Sequence, residues 1–240
     1  MKDGRDKEGK TKTEKASSLK EAWDKAKDTR KGKNSIKSLK DQNFNKAQTA
    51  LTNANDALNS AETEKNTKQG AFNTAKKEKD TADAAYNKAQ TKKTETETAF
   101  NTAKTEKETA ESSERSAITA WENEVDPLAK AEKEKEKKSA IQIADEKRQN
   151  FNKAQPALTD AKNALSDAET EKNTKEGAFN TAKTAKETAD TAYNNAQTEK
   201  SKAETAFNTA KTEKDTADKE AQDAAEAEQN AKKAYEDAIS

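Results

Sequence analysis

Phe44, Leu58, Phe72, Tyr86 and Phe100 stand 14 residues apart, and Phe151, Leu165, Phe179, Tyr193 and Phe207 repeat the pattern 107 residues later. Fourteen residues are two heptads, so a large apolar side chain returns to the same stripe of an α-helix at every second heptad. A strand alternates with period two, and an unstructured segment has no reason to hold any count. The spacing therefore predicts an all-α chain of long alanine-rich helices, built twice.

Placing Phe44 at position a of a heptad abcdefg puts Leu51, Leu58, Lys65, Phe72, Lys79, Tyr86, Lys93, Phe100 and Lys107 at successive a positions, with Trp121 two heptads further on. The second copy runs Phe151, Leu158, Leu165, Lys172, Phe179, Lys186, Tyr193, Lys200, Phe207 and Lys214, with Tyr235 three heptads beyond. Position d is almost all alanine, as at Ala47, Ala54, Ala61, Ala75, Ala82, Ala89, Ala103 and Ala110. Small residues at d let two helix backbones approach closely, and the rings at a fill the space left beside them. The aromatic and leucine positions thus predict an assembly seam, in a coiled coil or an antiparallel helical hairpin or bundle.

The duplication tests that assignment. Residues 44–111 and 151–218 differ at 18 of 68 positions, none of them at a and one, Thr96 against Ala203, at d. The copies diverged on the solvent side and kept the seam, including the lysines at 65, 79, 93 and 107 and at 172, 186, 200 and 214. A lysine at a lowers stability but penalises alignments that bury its ammonium, so these lysines are expected to restrict register. Permitted registers then recur every 14 residues, or about 21 Å along the axis.

Four segments are expected. Residues 1–34 are a basic arm carrying a short amphipathic helix, with Ser18 and Glu21 as a capping box, Trp23 as a packing anchor and Gly32 as the terminator. Residues 35–125 form the first rod. Residues 126–150 form a charged connector, opened by Asp126 as N-cap and Pro127 at the first helical position, where the chain is expected to reverse. Residues 151–240 form the second rod, with a kink or restart expected at Pro156. Gly70 and Gly177 do not disturb the 14-residue phase and are expected inside continuous helices. A hairpin and a single kinked rod satisfy the heptads equally.

With 38% charged and 29% apolar residues, no Cys and no His, the chain lacks disulfides, thiolate chemistry and the commonest metal ligand and general base. Acidic pairs on a solvated rod lack the enclosed pocket that tunes acid–base groups, so no enzymatic activity, cofactor or metal is expected. Nucleic-acid binding is not expected, since basic charge is confined to the N-terminal arm and interrupted by acids. No window is apolar enough for a transmembrane helix, and the N-terminus has no signal-peptide core. The chain is accordingly expected in the cytoplasm, or at the cell surface or outside the cell if a signal was removed before this numbering. Residues 1–41 carry 14 basic and 8 acidic side chains, whereas residues 213–240 carry 4 and 9.

In its repeats the chain resembles the alanine-rich heptad stalks of bacterial surface proteins, which space similar Ala-Tyr and Ala-Phe steps along long helices. The expected function is a non-catalytic structural protein whose partner is itself, assembling into a fibre, filament or surface stalk through the Ala/aromatic seam and the oppositely charged ends. An alternative follows from segments such as Thr181–Ala189, which resemble late-embryogenesis-abundant stress-protection proteins. A minor alternative is helical ice binding, through the threonines at 67, 74 and 81 and at 174, 181 and 188, which share position c.

Overall fold

The computed structural model describes residues 11–240. The fold is all-α, with two long helices, α1 (Lys12–Glu122) and α2 (Pro127–Ile239), packed against each other. The first ten residues of the basic arm lie outside the described residues.

The start of α1 corrects the expected capping box. The Thr11 amide donates to the Glu14 carboxylate (2.8 Å), and the Thr11 hydroxyl accepts from the Glu14 amide (3.3 Å). Ser18 lies inside the helix and donates instead to the Lys15 carbonyl (3.0 Å). Thr-x-x-Glu and Ser-x-x-Glu are equivalent signals, and with no breaker between them the helix extends to the earlier one. Nor does Gly32 terminate anything: α1 passes through it, with Trp23 stacked on Tyr235 on one side and Phe44 on Phe207 on the other. An isolated glycine costs about 1 kcal/mol in a helix, which contacts on both flanks offset. Likewise α2 does not restart at Pro156, which sits on the exposed f position.

The turn follows its sequence signals closely. Glu124 accepts from the amides of Val125 (3.0 Å) and Asp126 (3.1 Å), closing the end of α1. Asp126 caps α2 through its carboxylate, which accepts from the amides of Leu128 (2.8 Å) and Ala129 (3.2 Å). Pro127 occupies the first helical position, where no amide hydrogen is required.

The chain packs as two units. One joins α1 up to Asn66 with α2 from Thr188, and the other spans Thr67–Glu187 and includes the turn. Within each unit the two helical segments run antiparallel, as the ring pairs Trp23–Tyr235 and Phe44–Phe207 show in the first and Phe72–Phe179 and Phe100–Phe151 in the second. The helices pass through residues 34 and 150 without interruption.

Among the described residues every buried hydrophobic residue is an alanine. Ala82, Ala110, Ala161, Ala189, Ala210, Ala217 and Ala224 lie at d, and Ala144 and Ala221 at a. Among the described residues a helix pair has no third element to cover its edges, so only small side chains directly between the backbones lose most of their solvent contact. The abundant threonines are accommodated by back-bonding: Thr49, Thr102 and Thr181, among others, donate to the carbonyl four residues earlier.

A Cβ added at Gly70 or Gly177 meets nothing within 4 Å. Gly70→Ala and Gly177→Ala should each raise the free energy of unfolding by about 1 kcal/mol, and Pro156→Ala by up to about 3 kcal/mol. Urea denaturation followed by circular dichroism checks these increments.

Candidate functional site: the helix seam

All the seam residues and register lysines named from the sequence are half-buried. Their phenylalanine rings meet in like pairs. Phe44 faces Phe207 with centroids 5.3 Å apart, Phe72 faces Phe179 at 5.3 Å, and Phe100 faces Phe151 at 5.2 Å, all tilted by about 40°. In each case the two residue numbers total 251, which defines the register within both units. By that count Leu58 stands level with Tyr193 and Tyr86 level with Leu165.

The lysines that alternate with the rings have two kinds of partner. Three lie over aromatic faces of the opposite helix: Lys65 on Tyr193 (4.3 Å), Lys172 on Tyr86 (4.7 Å) and Lys107 on Phe151 (4.9 Å). Several also pair with an acid four residues later at position e. Lys79 reaches Asp83 at 2.7 Å, Lys93 reaches Glu97 at 2.8 Å, and Lys200 reaches Glu204 at 3.2 Å. In the first unit these contacts close into a ring of four charges. Lys37 holds Asp41 (3.1 Å) and Asp218, while Lys214 holds Asp218 and Asp41 (3.4 Å). This layer is therefore neutral although it brings two lysines to the seam.

These contacts shift the titrations in the directions that geometry requires. Hydrogen bonds from Lys214 and then Lys37 hold Asp218 below the usual carboxylate range, and Lys79 does the same for Asp83. Reciprocally, Asp218 raises Lys37 and Lys214, and Asp83 raises Lys79. The charges are partly exposed, so each pair is worth little in stability, and alignment is the larger consequence.

The other edge of the seam carries a second set of bridges, from lysines at d to glutamates at g. Lys33 meets Glu220 (2.8 Å) and Lys40 meets Glu213 (2.9 Å) in the first unit. Lys147 meets Glu106 (3.0 Å) and Lys175 meets Glu78 (3.2 Å) in the second. A shallow groove of about 610 Å³ opens on this edge beside Lys147, between Thr109 and Ala140, where small side chains replace longer ones.

Sequence reasoning found the a stripe but missed these partners. The e-position acids were visible as a carboxylate four residues after each of several lysines, whereas the g-to-d bridges need the register before they can be named. Trp121 was placed in the seam, and the structure gives it charged company: Lys137 sits over its ring at 3.4 Å and Lys130 at 5.1 Å. The basic head and acidic tail also meet within the chain, since Arg30, Lys33, Lys37 and Lys40 bond Glu228, Glu220, Asp218 and Glu213. The c-position hydroxyls of Thr74, Thr81, Thr174 and Thr181 donate inward to backbone carbonyls.

Among the described residues no helix is long and apolar enough to cross a membrane, and no group of His, Cys, Asp or Glu side chains is gathered for a metal ion. No protein-family model matches the chain, and no curated protein matches it in sequence.

Two measurements probe the seam. A double-mutant cycle between Phe72→Ala and Phe179→Ala should give a coupling of about 0.5–1.5 kcal/mol, the usual worth of an aromatic pair beyond its burial. The second is pH. Because Asp83 and Asp218 are depressed in the folded state, their contribution is full above the unfolded carboxylate value near pH 4 and is lost as pH falls through the lower folded value. The raised lysines Lys37, Lys79 and Lys214 act oppositely, losing their contribution as pH rises past about 10.4. Urea midpoints should fall on acidification below about pH 4, and less steeply in an Asp83→Asn/Asp218→Asn variant.

Proposed function

We infer that the protein is a non-catalytic structural element, a helical spacer or fibre subunit whose chemistry serves to hold two helices in one register. The observation that carries this reading is the alternation along the seam. Ring pairs alternate along the seam with lysines whose charge is paired, across the two helices at Lys37–Asp218 in one unit and along α1 at Lys79–Asp83 in the other. Such a seam resists sliding, and resistance to sliding is the property required of a part that transmits distance or load.

Self-association belongs to the same reading. The seam aromatics are half-buried, so each retains an open side against which a further helix can pack. The charged ends contribute less than their composition suggests, because their attraction already operates between the two ends of one chain.

Negative-stain electron microscopy at low and high salt, with circular dichroism on the same samples, tests the proposal. Helical spectra with rods or filaments are the expected outcome. A coil spectrum in dilute buffer would overturn it and move the assignment to the stress-protection alternative.

A further inference from the structure

Several contacts of this protein occur twice with the two copies exchanged. Phe44–Phe207 and Phe100–Phe151 join the same two repeat positions, since Phe151 is the copy of Phe44 and Phe207 the copy of Phe100. Their centroid distances are 5.3 and 5.2 Å. Lys40–Glu213 and Lys147–Glu106 are related in the same way, at 2.9 and 3.0 Å, as are Lys65–Tyr193 and Lys172–Tyr86, at 4.3 and 4.7 Å. The pair Phe72–Phe179 is its own image, because Phe179 is the copy of Phe72. Which copy supplies which member of a contact makes almost no difference to its geometry.

We propose that each helix is complementary to itself, so that an opened chain pairs α1 with α1 of a second copy of this protein and α2 with α2 of a third. In an antiparallel α1 pair, Phe44 would face the second copy's Phe100, Lys40 its Glu106, Lys65 its Tyr86, and Phe72 its Phe72. The corresponding α2 pair joins Phe151 to Phe207, Lys147 to Glu213, Lys172 to Tyr193 and Phe179 to Phe179. Every one of these combinations uses residue types that already make the contact within the chain. A unit with two self-complementary helices that bind different neighbours links copy to copy, and the assembly grows as an open chain unless the last pairing closes on the first. This deepens the structural reading above and rests on it, by naming the partner and the route of assembly.

Two features hold the isolated chain closed. The turn between Glu122 and Pro127 makes pairing intramolecular, and intramolecular pairing competes at high effective concentration. Contacts near the termini, Trp23 on Tyr235 and Arg30 with Glu228, add partners specific to the α1–α2 combination. Exchange should therefore rise with protein concentration.

The chain has no native cysteine, so Asn73→Cys in the full-length protein gives one label site, exposed and adjacent to Phe72. Pyrene labels at residue 73 become neighbours only where two α1 helices pair. The closed chain and a simple α1–α2 swap both set residue 73 against α2. Asn101→Cys, also exposed, is the register control, because an α1 pair carries its two labels far apart. Excimer emission that grows with concentration for the residue 73 label and stays absent for the residue 101 label is the expected result. Monomer emission at every concentration, or equal excimer from both sites, overturns the exchange. Circular dichroism separates the failures: a helical spectrum without excimer rejects exchange alone, while a coil spectrum rejects the structural reading beneath it.

Discussion

The structure depends on how closely two helix backbones can approach. Alanine at d sets that distance: Ala82, Ala110, Ala161, Ala189, Ala210, Ala217 and Ala224 are buried, and each contributes only a methyl group to the space between the axes. A leucine at these positions would separate the backbones and carry the rings away from one another. With the helices close, phenylalanines on opposite helices meet at about the separation preferred by tilted aromatic pairs. A chain with so little apolar surface could not be stabilised by burial alone. Its helices persist because each layer makes a specific contact, not because a core is large.

The lysines follow from the same closeness. Between tight helices an ammonium at a cannot be ignored: Lys65 and Lys172 have an aromatic face across the seam, and Lys79 and Lys93 a carboxylate one turn along their own helix. The four-charge ring of Lys37, Asp41, Lys214 and Asp218 joins both devices across the helices. Sliding one helix by a single heptad would set a ring against a lysine layer and break such a ring of charges. Stability is nearly indifferent to one exposed ion pair, but the choice among registers is not. The retention of lysine through duplication is the expected result of that pressure.

How much was legible beforehand varied with the range of the interaction. The all-α class, the heptad phase, the N-cap at Asp126 and the continuity through Gly70 and Gly177 depend on residues within a turn or two of each other, and local spacing carries them. Gly32 does not end the arm helix because a glycine signal is local while the contacts that override it, Trp23 with Tyr235 and Phe44 with Phe207, join residues from opposite ends of the chain. The same limit hid the bridges from Lys40 to Glu213 and from Lys175 to Glu78: nothing near either residue identifies its partner until the antiparallel register is known. The choice between a hairpin and a single rod was open for a related reason, since a heptad stripe describes the face that must be covered and not the direction from which cover comes.

Distributing stability over many equivalent layers also explains what the chain tolerates. Gly32, Gly70, Gly177 and Pro156 are poor helix residues, and in a short helix any one of them would end the element. Here each interrupts a helix supported by layers on both sides, so the penalty stays local. The three glycines have open space where a side chain would stand, and Pro156 lies at an exposed position away from the paired seam. Substitution in this architecture is therefore costly in proportion to its nearness to a and d, and the 18 differences between the copies have that distribution. A seam that accepts almost any solvent face but few changes at its own positions is defined by register alone.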